Sequence, residues 1–297
     1  PRGLARQVAD VPQSYLEDAS GLKGRADEFA MPASAGELAA IMADCRRRGV
    51  PVTLSGAGTG VTGGRVPMGG MLISLERFRR LEIHNGCAIS GAGVALQQLH
   101  EAAQASGQFY PPDPTEWSAS VGGTIATNAS GSRSFLYGST RRWIRSVKAV
   151  FMDGTVRDFR RGEALDFPIT PLPVCRARKS TAGYRLRDGM DWIDLLCGSE
   201  GTLAAIVEAE LELLPQPAEL LSGVVFFPSA GAALDAVALW RLIPQLRMLE
   251  YFDAASLRVL SSAYKEIPDS AKAALLIEQQ LDSLGGDPVD EWITRID

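Results

Sequence analysis

Residues 55–64 read SGAGTGVTGG, five glycines among ten residues, directly after the short apolar run 51–54. Glycine carries no Cβ, so it takes positive φ readily and lets a ligand approach the main chain. Consecutive free N–H groups then form an anion-binding concavity. The chemistry on offer is a phosphate cradle. Gly58, Gly60 and Gly63 formally match G-x-G-x-x-G, but that pattern opens a helix. Here Gly64, Pro67, Gly69 and Gly70 keep the chain irregular until the next apolar run at 71–75, so a nicotinamide-type Rossmann site is not expected. Alone, such a loop is more often a flexible connection. A second stretch of the same character, SVGGTIATNASG at 120–131, offers small residues, N–H donors and the Asn128 amide, which suits a polar ring. Between the two, YPPDPT at 110–115 is a rigid extended segment able to hold a planar ligand's edge.

Other chemistry-bearing residues read as bland. Cys45, Cys87, Cys175 and Cys197 are far apart, contain no C-x-x-C pair, and have only His84 and His100 as imidazole partners, so no metal site is expected. His84 reads as structural, in an alternating strand, and His100 as part of a helix surface. No G-x-S-x-G occurs, which sets a hydrolase aside. Arg46, Arg47 and Arg48 suit the last turn of a helix, where they complement its dipole. Arg141, Arg142 and Arg145 read as a solvated edge. Arg176, Arg178, Lys179 and Arg185 could meet an acidic substrate, though surface charge serves as well.

The elements that must position the glycine stretches follow from spacing. A helix is predicted over 33–49, with Ser34 as N-cap, Glu37 three positions on, Leu38, Ile41 and Met42 on one face, and Gly49 as terminator. Strands 52–55 and 71–75 flank the loop in a β-loop-β unit, and 81–84 and 88–90 are further strands. Helical spacing over 94–106 stops at Gly107, and 144–152 with 156–159 form a hairpin closed by Asp153-Gly154. Residues 161–190 are loop-like, 195–197 and 203–214 return to sheet, and Pro215 and Pro217 mark a boundary. Beyond it the rhythm is strand 221–227, helix 230–242, strand 247–252, helix 254–263, strand 273–278 and helix 288–296, an α/β sandwich.

With 297 residues, about two domains of roughly 150 residues are expected. The hydrophobic fraction of 46% supplies a core, and a net charge of −5 gives no attraction to nucleic acid or anionic membrane. No apolar window is long enough for a membrane span and no secretory signal is visible, so a cytoplasmic location is expected. The start at Pro1 suits a processed, trimmed or partly ordered chain, and a three-strand remnant whose last strand would leave an open edge leads to the expectation that more chain followed.

Taken in order, SGAGTGVTGG, YPPDPT, SVGGTIATNASG and GSEGTL (198–203) resemble the flavin-binding domain of the vanillyl-alcohol oxidase and p-cresol methylhydroxylase flavoproteins. KSTAGY at 179–184 and DLLCGSEGTL at 194–203 resemble the branch of D-lactate, glycolate and 2-hydroxyglutarate dehydrogenases, and LEYFDAASL at 249–257 resembles the start of its cap. The resemblance implies an α+β chain. A two-subdomain FAD-binding domain of the p-cresol methylhydroxylase type would span 1–218, with subdomains at about 33–85 and 86–218. The start of an α/β, ferredoxin-like, substrate-binding cap would follow at 219–297.

Carried over residue by residue, the resemblance implies that Ser55, Gly56, Ala57, Gly58, Thr59, Gly60, Thr62 and Gly63 hold the FAD pyrophosphate. Pro112, Asp113 and Thr115 would border the flavin. Gly122, Gly123, Thr127, Asn128 and Gly131 would follow its ring and ribityl chain, and Glu200, Gly201 and Ile206 would complete the nucleotide pocket. Some relatives attach FAD through a histidine at the place of Gly58. With no His or Cys between 50 and 82, FAD here would be non-covalent. The relatives' late H-x-G-D-G-N segment is absent from this sequence, so no catalytic base is nominated. The implied activity is oxidation of a D-2-hydroxy acid of the lactate or glycolate type by hydride transfer to flavin. Electrons would pass to a quinone, a cytochrome or an electron-transfer flavoprotein. Charge complementarity nominates Lys179 or Arg185 for the substrate carboxylate. The alternatives are an accessory electron-transfer subunit, or a non-catalytic fragment lacking the full cap. Homodimerisation and membership of a larger complex both stay open.

Overall fold

The computed structural model describes residues 6–7, 11–173, 180–281 and 288–296. Two compact units emerge, one of 1–110, 116–129 and 139–215, the other of 111–115, 130–138 and 216–297.

In the first unit, a four-stranded sheet has the order β1-β2-β4-β3, comprising β1 (Arg6–Gln7), β2 (Glu28–Ala30), β3 (Val52–Ser55) and β4 (Met71–Ser74). β2, β4 and β3 run parallel. A parallel neighbour demands a long crossover, usually a helix. Here the crossover from β3 to β4 is the glycine-rich segment 56–70 itself, which starts at the carboxyl end of a parallel strand, where ligands of α/β sheets bind.

Helix α1 (Ala35–Arg48) begins as its sequence dictates, the Ser34 Oγ accepting the Glu37 N–H at 3.2 Å while Glu37 Oε2 accepts from the Ala33 N–H at 2.7 Å. Gly49 ends it at φ 66°, and its last-turn arginines pair with Asp44, Glu28 and Asp153. Leu38, Ile41, Met42 and Cys45 are buried against Met71 and Ile73 of β4 and against Val150, Ala205 and Val207.

Those last residues belong to or flank a five-stranded antiparallel sheet of order β5-β6-β10-β8-β9, made of β5 (Leu81–His84), β6 (Cys87–Gly91), β8 (Ile144–Val150), β9 (Val156–Arg160) and β10 (Ala205–Glu212). The β8–β9 turn uses Gly154 at φ 85°, with Thr155 N–H donating to Asp153 Oδ1 at 2.8 Å, as Asp-Gly predicts. Helix α2 (Leu96–Ala105) precedes β7 (Gln108–Phe109), which pairs with β11 (Leu214–Pro215). The ring of His100 lies 5.4 Å from Trp117 and 6.1 Å from Tyr110, an aromatic setting rather than a bare helix surface. His84 is exposed and 3.7 Å from Glu82.

Two short helices depart from the sequence expectation. Residues 120–131 contain helix α3 (Val121–Ala126), and 195–197 lie not in a strand but at the end of helix α5 (Trp192–Leu196), capped by Asp191, which accepts the Asp194 N–H at 2.7 Å.

The second unit carries a three-stranded sheet of order β12-β14-β13, from β12 (Leu220–Phe227), β13 (Leu246–Asp253) and β14 (Ala273–Gln280). Helices α6 (Ala230–Trp240), α7 (Ala254–Leu260) and α8 (Pro288–Ile296) accompany it, the core forming around Trp240, Trp292, Leu246, Leu275 and Ile277. β12–α6–β13 is a split βαβ unit with β14 inserted antiparallel between the two strands. The last strand is therefore central, and among the described residues the edge strands are β12 and β13. The same unit includes α4 (Ser134–Tyr137), near which Arg133 bonds Asp113 Oδ2 and Glu278 Oε1, each at 2.8 Å.

Candidate functional site

β3 ends at Ser55, whose side chain is fully buried and whose Oγ accepts from Arg65 Nη1 at 3.1 Å. The chain then turns through Gly58 at φ 83° and Gly63 at φ 79°. Among the described residues, no protein acceptor meets the N–H groups of Gly58, Thr59, Gly60, Val61 or Thr62. Gly63 N–H does have one, Asp18 Oδ2 at 2.8 Å. Its hydrogen bond from the Ser20 hydroxyl, with the N–H of Gly63 among the smaller contributions, holds the Asp18 carboxyl below its ordinary value. The loop thus already binds one anionic oxygen.

Helix α3 packs beside this loop. Its N-cap Ser120 accepts from Gly123 N–H at 3.3 Å and from Ala57 N–H at 3.4 Å, so one hydroxyl joins both glycine stretches. The same Oγ fills the space where a side chain at Gly56 would begin. Gly122 lies on Ala92, donating to its carbonyl at 2.9 Å, and a Cβ there would fall 3.1 Å from that oxygen. The small residues of α3 are therefore needed for contact with the segment after β6 as well as for openness to a ligand.

The carboxyl end of α3 receives the GSEG turn. Gly198 N–H donates to Ile125 O at 3.0 Å and Glu200 N–H to Ala126 O at 2.8 Å. Glu200 takes φ 53°, rare for a residue with a side chain, and its Oε2 lies 3.9 Å from where a Gly64 Cβ would stand. A Cβ at Gly201 would be 3.2 Å from Leu54 Cδ1, and Ile206 is buried in β10. Tyr184 of KSTAGY shares a 2.6 Å hydrogen bond with Thr202 of GSEGTL, so these two motifs meet.

The structure brings together, in the first unit, residues 55–63 with Gly122, Gly123, Glu200 and Gly201. Thr127 spends its hydroxyl on Gly123 O at 3.0 Å, and Asn128, at φ 48°, accepts the Arg141 N–H on Oδ1 at 3.0 Å. The second unit holds Pro112, Asp113, Thr115 and Gly131, where Asp113 pairs with Arg133 and its carbonyl abuts Gly131 Cα too closely for any Cβ. Cys175, Arg176, Arg178 and Lys179 lie outside the described residues.

Sequence reasoning missed two cations. Arg141 is not on a solvated edge. It is 7% exposed, its guanidinium donating to the carbonyls of Cys197, at 2.5 Å, and of Asp194. Burial depresses its pKa. Only Arg142 and Arg145 keep the expected character, Arg145 pairing with Glu212 at 3.6 Å. Arg65 was legible as the sole charge in 55–75.

Burial pushes the Cys197 thiol up to about 12 from an ordinary 9.0. Across that interval the unfolded chain has released a proton that the folded chain keeps, so this group makes stability fall as pH rises. Urea midpoints should show wild type losing about 1.4 kcal/mol more than Cys197→Ala between roughly pH 8 and pH 10. Parallel losses would contradict the shift.

The profile of a family described as an FAD binding domain matches residues 26–160. A D-lactate dehydrogenase of Archaeoglobus fulgidus is 37% identical over 209 residues, 69% of this chain and 43% of its own. Glycolate oxidase subunit GlcD of Bacillus subtilis is 31% identical over 262 residues, 85% of this chain and 51% of its own. D-2-hydroxyglutarate dehydrogenase of Xanthomonas citri is 32% identical over 229 residues, 75% of this chain and 44% of its own. An alkyldihydroxyacetonephosphate synthase structure shares the fold at TM-score 0.67 and 18% identity, covering 87% of this chain and 48% of that one. The chain spans about half the length of the curated relatives it matches.

Proposed function

Since this chain belongs to the FAD-binding flavoproteins of the vanillyl-alcohol oxidase and p-cresol methylhydroxylase type, we propose that it is the flavin-binding part of an FAD-dependent oxidoreductase acting on a D-2-hydroxy acid of the lactate or glycolate type. The observation that carries this reading is the row of N–H groups at 58–62, without protein acceptors among the described residues, at the carboxyl end of a parallel strand.

The residues fit the cofactor. Gly58 and Gly63 hold positive φ, the backbone conformation from which anion-binding concavities are built, and Ser120 holds Ala57 so that the loop needs little ordering on binding. Gly58, Thr59, Gly60 and Thr62 would hold the diphosphate of FAD, with α3 and the GSEG turn lining the remainder of the nucleotide. No His or Cys occurs between 50 and 82, so the association would be non-covalent. When bound, FAD supplies the hydride acceptor and passes the electrons on, while the protein binds and orients. A cation for the substrate carboxylate is expected from charge complementarity, Lys179 and Arg185 being its candidates. The FAD-binding domain would comprise 1–218 and the cap 219–297. No helix among the described residues is long and apolar enough to cross a membrane, and a cytoplasmic location is proposed. A quinone, a cytochrome or an electron-transfer flavoprotein would take the electrons.

The test is the visible absorption spectrum of FAD-reconstituted protein before and after anaerobic addition of D-lactate, glycolate and D-2-hydroxyglutarate in turn. Bleaching by one of them is the expected result and would name the substrate class. Bound flavin that none of them bleaches would favour an accessory electron-transfer subunit or a fragment without the full cap. Failure to bind FAD at all would overturn the reading.

A further inference from the structure

We propose that Arg65 is the resident cation of the cofactor site, set beside Gly58 to neutralise the dinucleotide diphosphate; this rests on the FAD reading above. Its guanidinium lies against Gly58, with Nη2 only 2.7 Å from where a Gly58 Cβ would stand, so glycine at that position makes room for the cation. Arg65 Nε donates to Glu17 O at 3.2 Å, Nη2 to Glu17 O at 2.7 Å and to Ser14 O, and Nη1 to Ser55 Oγ at 3.1 Å. These partners are carbonyl and hydroxyl dipoles. Among the described residues no carboxylate pairs with Arg65. Asp18 is within electrostatic reach, but it is bonded to Ser20 and to Gly63 N–H.

A half-buried guanidinium in direct contact with no carboxylate among the described residues is costly to retain, because dipoles replace water incompletely around a full charge. Arg65 is held rigidly in that state by four hydrogen bonds, next to N–H groups that also lack acceptors. Both unmet demands are of one sign, and one anion meets both. The diphosphate is the part of FAD that carries negative charge, so the effect of Arg65 should follow the diphosphate and leave the isoalloxazine alone. Four of the five guanidinium N–H groups are spent on these carbonyl and hydroxyl oxygens, which leaves one Nη1 N–H and the full positive charge to meet a phosphate oxygen.

The experiment compares dissociation constants of FAD and of riboflavin, from flavin fluorescence quenching at several salt concentrations, for wild type, Arg65→Gln and Arg65→Lys. Arg65→Gln should weaken FAD about 10- to 100-fold, the scale of one charged hydrogen-bonding group. Riboflavin should change less than about 2-fold, Arg65→Lys should recover most of the loss, and the salt dependence seen in wild type should flatten in Arg65→Gln. Equal FAD affinity in Arg65→Gln and wild type overturns the proposal. So does a parallel loss of riboflavin and FAD, which would make Arg65 a pin between 14–17 and the loop. Should Arg65→Gln fail to fold, wild type and Arg65→Lys decide. FAD affinity insensitive to salt in both overturns the proposal, and salt sensitivity confined to FAD supports it. Wild type that binds no FAD at any salt overturns the FAD reading itself, and the proposal with it.

Discussion

Replacing Arg141 with methionine is expected to destabilise the first unit by about 3–5 kcal/mol, the scale of two lost hydrogen bonds from a charged group at about 1.5–3 kcal/mol each. For a unit of this size that lowers the melting temperature by roughly 6–20 °C. The residue is 7% exposed and its guanidinium satisfies the carbonyls of Asp194 and Cys197 at the end of α5. Methionine fills the volume, but it leaves those carbonyls dry and unpaired. Arg142 makes the internal control. It is exposed, so Arg142→Met should stay within about 0.5 kcal/mol. The two arginines are adjacent and lose the same formal charge, so a difference between them isolates burial. Gly198 sits beside Arg141, with Nη2 3.1 Å from where its Cβ would be, so the GSEG turn that presents Glu200 should loosen as well. Thermal melts of both variants decide the matter, and equal shifts would contradict the buried role.

That contrast also shows where the sequence is readable. Helix α1 was legible to its ends because its signals are local: Ser34 and Glu37 are three residues apart, Gly49 terminates, and Leu38, Ile41, Met42 and Cys45 share one face. The Asp153-Gly154 turn is local too. Arg141 was not legible, since its partners are main-chain carbonyls more than 50 residues away, and a carbonyl has no residue type. Helix α3 was missed for a related reason. Gly122 and Gly123 weaken its intrinsic helix preference, and the contact of Gly122 with Ala92 compensates from a distant strand end. For 195–197, an apolar run too short to show its period read as strand. The Asp191 cap, which would have corrected it, lies just upstream.

The site shows the same division. Its glycine stretches could be found by composition, and their ligand chemistry by order and resemblance. What composition could not supply is that Ser120 joins the stretches, that Asp18 occupies the Gly63 N–H from 45 residues away, or that 56–70 is a crossover between parallel strands. In the second unit the alternation of strands and helices was readable, but the placement of β14 between β12 and β13 was not, since the same alternation suits several strand orders.

Gly58→Val should abolish FAD binding, weakening it by at least about 100-fold, because two independent obstacles meet at one Cβ. The first is conformational. Gly58 has φ 83°, which a β-branched residue tolerates poorly, so the backbone that carries the unpaired N–H groups of 58–62 would have to change its path. The second is steric, since the new side chain would enter the space of the Arg65 guanidinium. Gly58→Ala separates them. Alanine at positive φ costs about 1–2 kcal/mol on conformation alone. Combining Gly58→Ala with Arg65→Ala removes the collision while keeping the strained φ. If steric conflict dominates, the double variant loses markedly less FAD affinity than the sum of the single losses, and if conformation dominates the losses add. Circular dichroism of the apo protein should stay near wild type for Gly58→Ala, while its melting temperature falls by roughly 2–8 °C from the conformational cost alone. Retention of FAD by Gly58→Val at wild-type affinity would remove the cradle from residues 55–63, and with it the basis for placing a dinucleotide there.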